Sequence, residues 1–281
     1  MTHEFSLAHL TFLNLTPSEL IEVAARTGYD YVSLRPIAVT PYEPKYPLGE
    51  DKAMLQQTKK ALRDSGLKLA DIELARILPD TDPKIYLPAF EAAAELGGKY
   101  VLSSGWTPDR AYVAERFAEL CDLAKPFGLF MGFEFVTFAS LGTLADAVAV
   151  VSKADRENGG ICIDTLHFFR SNSRLEELDA LPRSWFRFAQ LCDAPKEPPK
   201  TVEGLIAAAR SDRLSVGQGG LDIAGVVNRL PPMPYALEIP NARLALEMSP
   251  LARAKKYIDD ARAYLDAHAR NATPASVARA L

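Results

Sequence analysis

The chain reads as a single α/β domain folded as a (β/α)8 TIM barrel. Three observations predict this. The length, 281 residues, suits one such barrel, which typically needs about 250. Short apolar runs alternate with longer amphipathic ones eight times from end to end. The turn after the first run is Thr11-Phe12-Leu13-Asn14, and neither GxGxxG nor GxxxxGKS/T occurs anywhere, which disfavours a doubly wound nucleotide-binding sheet.

Each element has its own signal. The first strand covers 5–10. Thr16-Pro17-Ser18-Glu19 is an N-cap followed by proline at the first helical position, so a helix runs to about 27 and stops at Gly28. A strand at 31–34 precedes a long loop, 36–49, with four prolines and the aromatics Tyr42 and Tyr46, placed where a barrel builds its rim. A helix over 51–65 ends at Gly66, and a strand covers 67–74. A helix over 83–96 ends at Gly97-Gly98, and a strand follows at 100–103. The rhythm continues with helix 108–125, strand 130–135, helix 141–153, strand 160–164 and a short helix 175–181. Strand 186–191, helix 202–210, strand 235–239 and helix 250–268 complete it. No linker rich in Pro, Gly or Ser divides the chain, so the domain is 1–281, with a small, polar tail at 269–281 expected to be loosely ordered.

Composition excludes several classes. Thirty-two basic against thirty-six acidic side chains leave a net charge of −4, which removes the usual electrostatic case for nucleic acid. Cys121, Cys162 and Cys192 are odd in number and scattered, a poor disulfide framework with no zinc-type CxxC pair. The N-terminus lacks a basic-then-apolar leader, and no apolar run reaches about 18 residues, so no membrane association and a cytoplasmic location are expected.

In a barrel, chemistry sits at the carboxyl ends of strands. Glu134, Asp164, Gln190 and Glu238 stand there in four successive strands, each behind an apolar run. A lone acidic residue at such a place is most often a helix N-cap. Several together repel unless a cation resolves the conflict. Three carboxylates and an amide oxygen are hard ligands for one divalent ion, with Mg²⁺ or Mn²⁺ favoured and Co²⁺ or Zn²⁺ open. Glu134 and Glu238, from the fifth and eighth strands, can face each other across the mouth, one removing and one returning a proton beside a carbonyl. His167, in Asp164-Thr-Leu-His, either contacts substrate or metal or stands behind them. His9 ends the first strand in the mouth, where it either packs or contacts substrate. Glu73 and Arg76 end the third strand and either pair with each other or contact substrate.

At Glu134, Asp164-Thr-Leu-His167, Gln190 and Glu238 the sequence resembles the xylose isomerase-like barrel superfamily over roughly 5–268, and more narrowly its sugar phosphate isomerase/epimerase group. The resemblance implies Glu134, Asp164, Gln190 and Glu238 as metal ligands, with Glu134 and Glu238 doubling as acid and base. It implies His167 beside the metal, touching substrate oxygens. The stretches Gln190-Leu-Cys-Asp-Ala-Pro, Ala208-Ala-Arg-Ser-Asp-Arg213-Leu and Gly217-Gln-Gly-Gly-Leu-Asp222 are similar to members related to inosose dehydratase and 3-dehydroshikimate dehydratase. That likeness implies Arg210 and Arg213 as contacts to a substrate hydroxyl or carboxylate. The family often has Glu where this chain has Gln218, and His where it has Gln190, a neutral and weaker oxygen donor.

The expected activity is therefore a metal-dependent sugar (phosphate) isomerase or epimerase. It would act on a small polyhydroxy carbonyl compound through a metal-bound enediolate. A dehydratase-type lyase is the alternative, and Arg35, Arg76, Arg210 or Arg213 would then pair with a substrate carboxylate. A non-catalytic binding protein on the same barrel is a third reading. The apurinic endonucleases of the superfamily use a histidine-rich cluster of three zinc ions, which four histidines and a charge of −4 argue against. A homo-oligomer is an open expectation.

Overall fold

The computed structural model describes residues 3–269. The tail expected to be loose therefore lies outside the described residues, apart from Ala269. Nine strand segments, β1 Phe5–Ala8, β2 Tyr31–Leu34, β3 Lys68–Ile77, β4 Tyr100–Gly105, β5 Phe130–Glu134, β6 Gly159–Ile161, β7 Ile163–Asp164, β8 Ala189–Leu191 and β9 Tyr235–Leu237, form one sheet. Every pairing is parallel. The sheet order is β6-β5-β4-β3-β2-β1-β9-β8-β7. Its two ends, β6 and β7, are halves of the expected sixth strand separated only by Cys162, whose N–H donates to the Phe133 carbonyl at 3.1 Å. The ring is thus an eight-stave barrel.

The helices are α1 Pro17–Thr27, α2 Lys52–Ser65, α3 Leu87–Glu95, α4 Arg110–Ala124, α5 Leu144–Ala154, α6 Thr165–Arg170, α7 Leu175–Asp179, α8 Val202–Ser211, α9 Ile223–Val227, α10 Ala242–Glu247 and α11 Pro250–His268. Local chemistry starts and stops them. Thr16 and Glu19 form a reciprocal capping box on α1, and Gly28, at φ 88°, takes the left-handed turn that ends it. Three short helices, α6, α9 and α10, went unanticipated. Each is announced only by its cap, Asp164, Asp222 or Asn241, and is too short to show a 3.6-residue period.

Two apolar regions hold the barrel. The large one lies between strands and helices and contains Leu7, Val32, Ile72, Val101, Phe133 and Leu237. The small one, Leu74, Leu102, Cys162 and Phe188, plugs the barrel interior. Phe188 stacks on Tyr100 with ring centroids 5.0 Å apart. Glycine at 132 makes the room, since a Cβ there would come within 2.6 Å of the Phe188 ring. Strand side chains alternate faces. Gly132, Cys162, Phe188 and Ala236 therefore share the inward face with Glu134, Asp164, Gln190 and Glu238, two residues further on. The apolar plug is the floor under the polar site. No described helix is long and apolar enough to cross a membrane, and the three cysteines are buried free thiols.

Candidate active site

Asp164 has three tasks. It ends β7, caps α6 by accepting the His167 N–H at Oδ1 (3.1 Å), and gives Oδ2 to Arg213 Nη1 at 2.5 Å. One donor atom each from Glu134, Asp164 and His167 lies within 4.8 Å of the others, and all three residues are buried. Gln190 donates from Nε2 to Glu238 Oε1 at 3.0 Å, and its own Oε1 is buried without a partner. Glu238 Oε2 lies 2.9 Å from Arg213 Nη2. The four strand-end residues expected from the sequence and Arg213 are thus one connected cluster with His167.

Arg213 is fixed along its length. Its Nε donates to the Ala209 carbonyl (2.8 Å), its backbone N–H to Pro240 (3.1 Å), and its own carbonyl accepts from Asn241 Nδ2 (2.9 Å). Asp193 and Leu214 bridge the next residue to the end of β8. The Asp193 carboxylate accepts the N–H groups of Ala194, Gly217, Gly219 and Leu221, which orders the glycine-rich turn carrying the exposed Gln218.

The charges separate cleanly. Burial works against ionised Asp164, yet Arg213 and His167 hold its pKa below the usual carboxylate range. Burial, with Asp164 and Glu238 adding repulsion, pushes Glu134 well up. Burial lifts Glu238 to about 8 against the pull of Arg213. Burial also drives His167 down to about 4, although Asp164 opposes this, so the ring is neutral. The Thr137 N–H, which can only donate, points at His167 Nδ1 (3.4 Å), and the Thr137 hydroxyl lies 3.1 Å from the same nitrogen. Nδ1 is therefore the acceptor and Nε2 carries the proton.

The remaining expected residues divide. Glu73 does not pair with Arg76. It accepts from Arg35 Nη1 at 3.0 Å through Oε2, while Oε1 is buried without a partner. Glu73 shares a strand face with Asp71, two residues back, whereas Arg76 stands at the rim, donating to the Val39 carbonyl (2.6 Å) with its guanidinium 5.1 Å over the Trp106 ring. Arg210 is exposed, 5.9 Å over Phe138, and Phe138 and Trp106 lie 6.1 Å apart. Two arginines thus flank a two-ring platform above the acidic floor. His9 is fully buried and stacked on Tyr46, and both of its nitrogens meet backbone, the Arg35 N–H at 3.1 Å and the Leu15 carbonyl at 2.8 Å. The substrate contact expected of His9 finds no free nitrogen, because the ring fastens the first turn to the second strand. Asp71, Thr137 and Asp193 were not anticipated. Asp71 accepts from Ser33, which meets Ser6 at 2.8 Å, and burial lifts the Asp71 carboxyl to about 7. An acidic residue inside an apolar strand was the one available signal for it.

The model of the xylose isomerase-like TIM barrel family matches residues 21–268. An inosose isomerase from Bacillus velezensis is 24% identical over 230 residues, covering 76% of this chain and 78% of that protein. A 3-dehydroshikimate dehydratase from Pseudomonas aeruginosa is 28% identical over 142 residues, covering 48% of this chain and 22% of that protein. Among solved structures, the IolI protein with a bound zinc atom superimposes with a TM-score of 0.78 at 18% identity, over 94% of this chain and 99% of that one. A D-allulose 3-epimerase from Methylomonas sp., in complex with D-allulose, gives 0.69 at 16% identity over 95% and 97%. At these identities the superpositions establish the shared fold.

Proposed function

The chain belongs to the xylose isomerase-like TIM barrel family, and from that premise we propose that it is a divalent-metal-dependent isomerase or epimerase of a small polyhydroxy carbonyl compound. The observation that carries this reading is the convergence of Glu134, Asp164 and His167 beside the unpartnered Oε1 of Gln190. A buried amide oxygen without a donor is costly and suits a cation. Glu134, Asp164, Gln190 and Glu238 would hold the ion, and their hard oxygens fit Mn²⁺, Mg²⁺, Co²⁺ or Zn²⁺. Bound there, the ion supplies positive charge beside the carbonyl whose neighbouring carbon is deprotonated.

The side chains then divide the work. Of Glu134 and Glu238, one as carboxylate takes the proton from the carbon, and the other, as carboxylic acid, delivers its own proton to the opposite face of that carbon in epimerisation or to the neighbouring carbon in isomerisation. His167, protonated at Nε2, donates to a substrate oxygen and so steadies charge developing on it. Arg213 orients Asp164 and Glu238. The plug of Leu102, Cys162 and Phe188 closes the barrel beneath the site.

A second reading, dehydration of a carboxylate-bearing substrate, draws on the rim pair Arg76 and Arg210, which would seat an anionic group above the reacting carbons. The relatives named as an inosose isomerase and a 3-dehydroshikimate dehydratase keep both readings concrete. The test is metal content of protein purified without chelators, wild type against Glu238→Gln, followed by turnover of ketoses, inososes and 3-dehydroshikimate with Mn²⁺ or Mg²⁺. One equivalent in wild type, reduced in the variant, supports the proposal. No metal in wild type after incubation with excess Mn²⁺ or Zn²⁺ would sink it.

A further inference from the structure

We propose that Arg213 is a resident cation that competes with the divalent ion for two of its ligands, and so keeps that ion weakly held and exchangeable. The inference rests on the metal-dependent reading above. Arg213 bridges Asp164 Oδ2 at 2.5 Å and Glu238 Oε2 at 2.9 Å, with all three side chains sealed from solvent. Every oxygen of both carboxylates already has a partner. The other oxygen of Asp164 accepts the His167 N–H, and the other oxygen of Glu238 accepts the Gln190 amide. Gln190 Oε1, by contrast, has no donor.

The guanidinium is also tethered where it stands. Its Nε is spent on the Ala209 carbonyl, and its backbone is locked to Pro240 and Asn241. An incoming divalent ion must therefore share carboxylate oxygens with a fixed positive charge instead of displacing a mobile side chain. Like charges at such range repel strongly in a buried site. The pairs that Arg213 would have to weaken are the ones that offset its own desolvation. A guanidinium whose role was only to hold the ligands in place would have the opposite signature, because its loss would loosen the site and weaken metal binding.

The experiment is Mn²⁺ titration calorimetry on the full chain, stripped of metal, at pH 8.5 to limit competition from protons. It compares wild type, Arg213→Met and Arg213→Lys, with thermal unfolding of each with and without Mn²⁺. Arg213→Met is expected to bind Mn²⁺ at least tenfold more tightly than wild type and to gain more in Tm on adding Mn²⁺. Arg213→Lys should fall between, because an ammonium keeps the charge but cannot fork across both carboxylates. If Arg213→Met fails to fold without metal, Arg213→Lys decides alone, with binding about threefold tighter than wild type as the expected result. Variants that bind Mn²⁺ no more tightly than a wild type that does bind overturn the inference and leave the metal site standing. Absence of binding in all three proteins overturns the metal-dependent reading and this inference with it. Binding by the variants but not by wild type overturns the inference too, because Arg213 would then exclude the ion instead of leaving it held and exchangeable.

Discussion

Arg213 Nη1 and Asp164 Oδ2, 49 residues apart in sequence, meet at 2.5 Å in a region closed to solvent. That contact ties the strand end that caps α6 to the segment following α8.

Removing one member of such a pair should be costly. Truncating one partner of a buried ion pair typically costs about 3–5 kcal/mol, because the other charge is left unpaired. Asp164→Ala also loses the α6 cap, worth about 1 kcal/mol. Asp164→Asn keeps an oxygen that can cap. Urea unfolding in the presence of a chelator should rank wild type above Asp164→Asn and Asp164→Asn above Asp164→Ala. Equal stability of the two variants would mean that the cap to His167 contributes nothing.

His167 sets a second expectation, in which the sign matters. Its folded pKa, about 4, lies below the unfolded value near 6.5. Between those values the unfolded chain binds more protons, so stability is full above pH 6.5 and falls as pH drops toward 4, by up to about 3 kcal/mol. His9 behaves the same way, because burial carries it to about 4 as well. His167→Gln should therefore roughly halve the histidine contribution to acid destabilisation between pH 6.5 and 4, measured as the difference in unfolding free energy from wild type across that range. Nitrogen NMR of the histidine rings should find the proton of His167 on Nε2, as the Thr137 N–H requires.

The strand-helix rhythm, the caps and the four strand-end residues were legible because each is a local signal: a run, a spacing, a polar residue after apolar ones. Partner choice was not. Glu73 and Arg76 sit three apart, and sequence alone left open a pair between them. Arg35 lies on the neighbouring strand side of the site and takes Glu73 instead. Arg213 was readable only through likeness, since what it neutralises comes from β7 and from the turn after β9. Thr137 and Asp193 act through hydrogen bonds that span 24 to 30 residues, a kind of contact that no periodicity reports.

Asp71 is the clearest case of a polar group the fold tolerates at a cost. One oxygen accepts from Ser33 and the other is buried without a partner. Burial lifts its pKa from 3.8 to about 7, against the Ser33 hydrogen bond. The folded chain therefore binds the extra proton. The stability associated with Asp71 is full below about pH 4 and is lost as pH rises toward 7, by up to about 4 kcal/mol. Asp71→Asn keeps an acceptor for Ser33 and cannot ionise. Compared with wild type, it should be the more stable protein at pH 8, and that advantage should shrink as the pH is lowered to 4. An advantage that does not change with pH would show that the carboxyl is not the titrating group.

The rim arginines separate the two readings of the reaction. Arg76 and Arg210 sit over Trp106 and Phe138, away from the acidic cluster that Arg213 and Arg35 neutralise. Burial, with Arg35 and Arg210 adding repulsion, lowers the pKa of Arg76, so the two rim cations feel each other and gain from an anion between them. A substrate carboxylate seated there would bind through charge-assisted hydrogen bonds that a neutral polyol cannot make. Arg210→Ala, a change at an exposed residue, should leave the unfolding free energy within about 0.5 kcal/mol of wild type. With 3-dehydroshikimate as substrate, loss of one such contact should raise KM roughly tenfold, the equivalent of about 1.4 kcal/mol, with little change in kcat. With an inosose, the same variant should match wild type. No effect on either substrate would place Arg210 outside the binding surface, and an equal loss with both would show that it does not select a carboxylate; either result removes the structural support for the dehydratase reading.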